Sequence, residues 1–271
     1  MESFPQLLTM MPDWQRIGVV PGFLVLAIVL ETLFPLFRFD YARLKHVVVN
    51  VVFLLTSGAV SLALSFIAFD WLHIEAWQFG LLHHIELPLW LQLVVSILVL
   101  DLLCQYWIHV MLHKHKWMWK LHLVHHSDTT VDASTGTRHH PGDFFLREML
   151  TITVVFLMGI PVAFYVFYRL IGPFFAYITH ANVKIPDGID RAISWVLVTP
   201  NMHKVHHHFE RPWTNSNYGN IFSVWDRLFG TFAYAHSRDL NYGVDTVDGS
   251  NDMNLKYQFA LPFNSKIKTD C

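Results

Sequence analysis

Three long apolar stretches restrict this chain to a small set of folds. Ile17 to Phe37 contains Glu31 as its one ionisable residue. Val47 to Phe69 has only Asn50, Thr56 and a few serines as polar members, and Pro88 to Leu112 is interrupted by Asp101. Each matches or exceeds the roughly 20 residues that a helix needs to cross a bilayer. Lipid offers the backbone no hydrogen-bond partners, so such stretches are expected to be helices. Composition agrees: 53% of the residues are hydrophobic and 15% charged, against about 25% charged in soluble domains. The formal net charge of −2 gives no reason to expect a nucleic-acid partner. Cys104 lies in an apolar run and Cys271 ends the chain, so no disulfide framework is expected. The stretch before Ile17 lacks a basic region and a cleavage site and does not read as a removable signal peptide.

Lysine and arginine orient the stretches. Arg38, Arg43 and Lys45 follow the first, none lies between Asp70 and Leu87, and Lys114, Lys116, Lys120, Arg138 and Arg147 follow the third. That alternation places 38–46 and 113–148 in the cytoplasm. A fourth apolar stretch, Leu150 to Ile178, is broken by Gly159-Ile160-Pro161 and again by Arg169 and Gly172-Pro173. Two crossings need about 40 residues, so a short re-entrant or kinked helical hairpin is expected. From Thr179 onward the chain is polar and rich in Asn, Asp and His.

The expected fold is therefore all-α: a multi-span integral membrane bundle with three full spans, the hairpin and a cytoplasmic histidine-rich helical cap. Its segments are the spans in 1–112, a histidine-rich segment at 113–149, the hairpin at 150–179, the cap at 180–235 and a polar tail at 236–271. One catalytic domain is expected over 101–235.

Three histidine clusters carry the chemistry. His109 and His113 form HxxxH at the end of the third span. His122, His125 and His126 form HxxHH, and His203, His206 and His207 repeat that pattern some eighty residues later. Residues three and four apart share a helix face, so each cluster can present its rings to one centre. Eight imidazoles exceed what one four-coordinate zinc can use and suit two metals, although nitrogen ligands do not by themselves select iron. Glu-x-x-His and HExxH motifs are absent. Other classes compatible with a histidine-rich membrane chain are a metal transporter, with ligands at mid-membrane depth, and a haem protein with paired histidines on facing spans. His115, His46 and His236 read as surface residues, His208 lies off its cluster's face, and His73, His83 and His84 fall in the opposite loop. Trp117 and Trp119 suit an interfacial anchor or a channel lining.

The order HxxxH, HxxHH, HxxHH on apolar spans resembles the fatty acid hydroxylase and sterol desaturase superfamily. Further matches are Arg138-His139-His140-Pro141, His180-Ala181-Asn182, Asn217-Tyr218-Gly219 and Trp225 to Thr231. The resemblance covers about Asp101 to Phe232. It implies an O₂-dependent non-haem oxidoreductase with two iron ions that hydroxylates or desaturates a C–H bond of a fatty acyl, sterol, sphingolipid or carotenoid substrate. It also implies that His109, His113, His122, His125, His126, His180, His203, His206 and His207 hold the metals. Where some members have a second histidine four residues after His180, this chain has Lys184. His140 is then a candidate weak or outer ligand, and Asp101 a candidate acceptor for an imidazole N–H. Neither a haem motif nor a dinucleotide motif occurs. Electrons are thus expected from NAD(P)H through an external ferredoxin or haem-type donor.

Overall fold

A computed structural model describes residues 11–39, 41–210, 213–235 and 240–267; His236 and Cys271 lie outside them. The longest elements are helices: α1 (Asp13–Leu33), α2 (Arg43–Trp71) and α3 (Leu89–Lys114). α2 ends in a π-helical turn, Phe66–Trp71, and α3 contains one at Leu102–Trp107, just before the first histidine pair. Then come α4 (Lys116–His126), α5 (Pro141–Met158), α6 (Val162–His180), α7 (Asp187–Ile193), α8 (Pro200–His206), α9 (Val224–Leu228) and α10 (Leu255–Ala260). Extended pairing among the described residues is limited to isolated bridges.

Helices α2, α3 and α6 are long and apolar enough to cross a membrane, and Gly18–Leu33 of α1 forms a shorter apolar helix. Only 28%, 44% and 33% of the three apolar windows are buried. The rest of α2 is half-buried or exposed, with Leu55, Leu62 and Phe66 outward, whereas α3 and α6 are mostly half-buried against their neighbours.

Helices α5 and α6 form a hairpin, as expected, but a longer one than the short re-entrant hairpin expected within 150–178, because its first arm begins well before the apolar run. His140 caps α5 by accepting from the Gly142 N–H at 3.0 Å, with Pro141 in the first turn. The arms of 18 and 19 residues are each about 27–29 Å long at 1.5 Å per residue, close to the hydrocarbon thickness. The polar residues of the first arm turn inward. Glu148 accepts from Ser61 of α2 at 2.8 Å and pairs with Arg169 of α6 at 3.2 Å. Gly159 ends α5 with φ +67°, a conformation that disfavours any Cβ. The tip meets the loop after α2 so closely that a Cβ on Gly80 would lie 1.8 Å from the Gly159 nitrogen.

At the other end, a buried polar network joins α1, α2 and the chain after α4. Glu31 pairs with Arg43 at 2.5 Å and accepts from the Ala133 and Asn182 amides. His46 lies between Asp128 (2.8 Å) and Asp132 (3.2 Å). The expectation that His46 is a surface residue is thereby corrected: its side chain is 0% exposed. Two acids placed on opposite ring nitrogens bury it.

Asp101 is corrected as well. Its carboxylate accepts from the Ile221 and Phe222 amides (3.2 Å each), from Trp225 Nε1 (2.9 Å) and from the Tyr168 hydroxyl (3.1 Å), with no imidazole among these partners. It ties the later chain to α3 and α6. Ile221 joins Leu100, Cys104, Phe164 and Tyr168 in one apolar core, with Leu197 and Phe222 packed against it. The chain beyond Thr179 is therefore partly built into the helical bundle.

Candidate metal centre

Two sets of imidazoles converge where α3, α4, α6 and α8 meet. His109, His113, His122, His126 and His206 form one, and His125, His180, His203 and His207 the other; within each, one nitrogen per ring lies within 4.8 Å of the others. The alternation follows from helical spacing. In each HxxHH segment the first and second histidines of the closing pair, one residue apart, point to different sets. All nine are buried.

The outer nitrogens fix ring orientation. His109 Nδ1 donates to the Tyr218 carbonyl (2.9 Å), His206 Nδ1 to the Ser216 carbonyl (2.7 Å) and His180 Nδ1 to the Ala176 carbonyl (2.6 Å). His122 Nδ1 donates to Asp143 Oδ2 at 2.8 Å, and His113 Nδ1 lies 3.3 Å from Asn215 Oδ1. A carbonyl oxygen can only accept, so each such Nδ1 carries the proton and its Nε2 presents a bare lone pair. His109 Nε2 and His122 Nε2 face each other at 3.0 Å, and His180 Nε2 lies 3.1 Å from His125 Nε2 and 3.0 Å from His203 Nε2. In the His109–His122 pair both protons are held on Nδ1, and two bare lone pairs at that distance repel unless a cation lies between them. Nitrogens about 2.1 Å from one metal and at right angles to each other stand about 3.0 Å apart.

Other ring nitrogens are buried without any partner: His113 Nε2, His206 Nε2, His125 Nδ1, His203 Nδ1 and both nitrogens of His126 and His207. Buried polar atoms are normally satisfied, so this concentration of orphans fits a metal-binding donor set. Burial pushes His125, His126, His203, His206 and His207 well below the usual imidazole range, and neighbouring imidazoles add to the effect. His122 falls to about 4 because burial outweighs the Asp143 carboxylate. Neutral rings at pH 7 are ready to ligate without first losing a proton.

His140 does not join either set. Its ring nitrogen is committed to the α5 cap, and the ring lies against Phe259 and Phe263. The adjacent His139 does approach: its ring stacks on His125 with centroids 4.4 Å apart, and its Nδ1 lies 3.1 Å from Asp143 Oδ2. Asp143, also held by Arg147 Nε at 2.8 Å, therefore braces two histidines. Neither residue stood out in the sequence, although His139 is in the quoted Arg-His-His-Pro motif and Asp143 lies four residues beyond it. Asn215 and Tyr218 resemble turn residues in sequence, yet both orient histidines. Trp119 packs on His113 (4.7 Å) and His126 (5.2 Å), whereas Trp117 is exposed. Lys184 and His115 are exposed, and His73 and His83 lie at the opposite end of the bundle, with His83 against the Gly159 tip.

The same residues fall within a known sequence pattern. The profile of the fatty acid hydroxylase family matches residues 93–231, from the first turns of α3 to just beyond α9, and takes in all three histidine clusters. The chain is 27% identical over 180 residues to the ornithine lipid hydroxylase OlsE of Rhizobium tropici, covering 66% of this chain and 52% of that protein. It is 30% identical over 140 residues to the alkylglycerol monooxygenase of Xenopus tropicalis (51% and 30% covered). With the Delta(7)-sterol 5(6)-desaturase erg3B of Aspergillus fumigatus it shares 28% over 127 residues (47% and 35%). The chain thus spans between about a third and a half of the length of these relatives. No solved structure matches it significantly. With a profile match over half its length, centred on the buried histidines, the chain belongs to the fatty acid hydroxylase family.

Proposed function

We propose that this protein is a membrane-embedded, O₂-dependent oxidase that uses two iron ions to hydroxylate or desaturate a C–H bond of a lipid. The observation that carries the reading is the pairing of two adjacent, buried, all-imidazole sets whose ring nitrogens either face one another or have no partner at all. The relatives' names, a lipid hydroxylase, a monooxygenase and a sterol desaturase, support a lipid C–H bond as the target. In the proposed assignment, His109, His113, His122, His126 and His206 hold one metal and His125, His180, His203 and His207 the other.

When bound, the metals supply O₂ activation at a C–H bond. Hydroxylation consumes O₂, two electrons and two protons, giving an alcohol and water; desaturation gives an alkene and two waters. The chain's own residues orient and exclude. Tyr218, Ser216 and Ala176 carbonyls and the Asp143 carboxylate hold the rings with Nε2 inward, the outer-partner arrangement that tunes metal sites. Trp119 closes one side of the five-histidine set against water. Convergence of the rings at the end of α3, away from mid-span, favours this reading over a transporter. In the same proposal the centre faces the cytoplasm, where a small NAD(P)H-fed donor, ferredoxin or haem type, supplies electrons.

The test is metal analysis and spectroscopy of the purified protein, followed by product analysis of lipids. Two irons per chain without a Soret band, and an oxidised lipid that requires O₂ and is lost in His125→Ala, are expected. A Soret band, or oxidation unchanged by His125→Ala, overturns the proposal.

A further inference from the structure

A broad apolar surface lies outside the long helices. On α7 and the turn after it, Ile189 (55%), Ile193, Trp195 (63%) and Val196 are exposed, and on α9 so are Val224 and Leu228 (67%). The two pieces form one rigid unit. Leu197 and Phe222 pair as a bridge, the Ser223 amide donates to the Val196 carbonyl (3.1 Å), and the Ser223 hydroxyl donates to the Ser194 carbonyl (2.7 Å). Arg227 is clamped between two rings, 4.0 Å from the Trp195 centroid and 3.7 Å from that of Phe232, while donating to the Ser194 carbonyl. An exposed contiguous apolar surface of this kind marks a contact with a partner or a membrane.

Its position selects the membrane. Ile221, Phe222 and Trp225 bind the Asp101 carboxylate, eight residues before His109 on α3. That is about 10–12 Å along the helix, toward the far end of the span. Phe229 follows α9 directly and packs on Trp107 of α3 at 5.0 Å, so the surface continues the outward face of a helix long enough to cross the bilayer.

We propose that α7, residues 194–196 and α9 form a ledge inserted into the acyl region of the same bilayer, seating the second HxxHH helix against the spans. The occupant of this surface is lipid. The inference rests on α3 being a membrane span and adds a segment that enters the bilayer without crossing it.

Nitroxide accessibility in liposomes tests it, using the full chain with Cys271→Ser and the buried Cys104 retained. Labels at Trp195→Cys and Leu228→Cys are expected to relax more with O₂ than with an aqueous nickel chelate, several-fold beyond the ratio at exposed Lys256→Cys. Val196→Cys replaces either position if labelling there disturbs folding. A label at Val94→Cys, on the exposed face of α3, reports on the span itself. Lipid-like values at position 94 with water-like values at 195 and 228 overturn the ledge and leave the span intact; water-like values at all three overturn both. Protection from both reagents with spin–spin broadening assigns the surface to a second copy of the chain, and also overturns the proposal.

Discussion

Asp143 and His140 lie three residues apart and play opposite parts. Asp143 accepts from His122, His139 and Arg147, so Asp143→Asn should weaken metal binding by about 10–100-fold, measured by competition with a chelator. His140→Ala should leave that affinity unchanged, since its ring serves the α5 cap. Helical spacing made eight of the nine ligand candidates legible in the sequence, because i, i+3 and i+4 share a face wherever the helix goes; the lone His180 was legible only through the family resemblance. His139, Asp143, Asn215 and Tyr218 were not legible, because their partners come from elsewhere in the chain. His46 was hidden for the same reason: Asp128 and Asp132 are more than eighty residues away. Burial alone would raise the Asp128 carboxyl, yet His46 and Arg138 hold it well below the usual carboxylate range. A carboxyl depressed in the folded state adds stability above its unfolded pKa of about 3.9 and loses it as pH falls through the range below. Asp128→Asn, which strands a buried charge, should destabilise the protein at pH 7 by about 3–5 kcal/mol. In unfolding measurements across pH, the gap to the parent should narrow below about pH 4.

Among the helices, the sequence announces the breaks better than the beginnings. Gly159-Ile160-Pro161 marks the hairpin tip because Gly159 adopts φ +67°. The first arm begins at Pro141, nine residues before the apolar run, because Asp143, Arg147 and Glu148 are satisfied by partners inside the bundle and need no water. Hydropathy cannot register such pairing. The tip also depends on Gly80, whose backbone nearly touches Gly159. Gly80→Ala should destabilise the protein by at least the roughly 1–3 kcal/mol typical of overpacking, because backbone cannot swing aside as a side chain can. A thermal melt of the detergent-solubilised variant checks this; an unchanged melting temperature would mean that the tip and the loop are not in contact.

For the molecule as a whole, nine imidazoles from α3, α4, α6 and α8 meet at one place, so on the proposed reading metal binding and the fold are coupled. The spans bury apolar surface and satisfy their own backbone whether or not metal is bound. The short α8, at seven residues, has little helical stability of its own, and Thr199 caps it at 3.3 Å. Once the cation is removed, His109 Nε2 and His122 Nε2 repel at 3.0 Å and His206 Nε2 is left buried without a partner, and the cheapest relief is to swing α8 and its rings away. Anything bound only to the folded arrangement stabilises it, so stripping the metals should loosen this part first. The expected outcome in limited proteolysis is cleavage appearing between α6 and α7 and after His207 in chelator-treated protein. The fragment holding α1 to α6 should remain intact, and added metal should restore protection. The sequence displays both halves of this coupling, the apolar stretches and the histidine spacing. It does not display the segment 194–229, whose Ile221 and Phe222 pack against α3 and α6. If chelation instead opened the hairpin while leaving 184–210 protected, the centre would be bracing the spans, and α8 would be held by its own packing against α6.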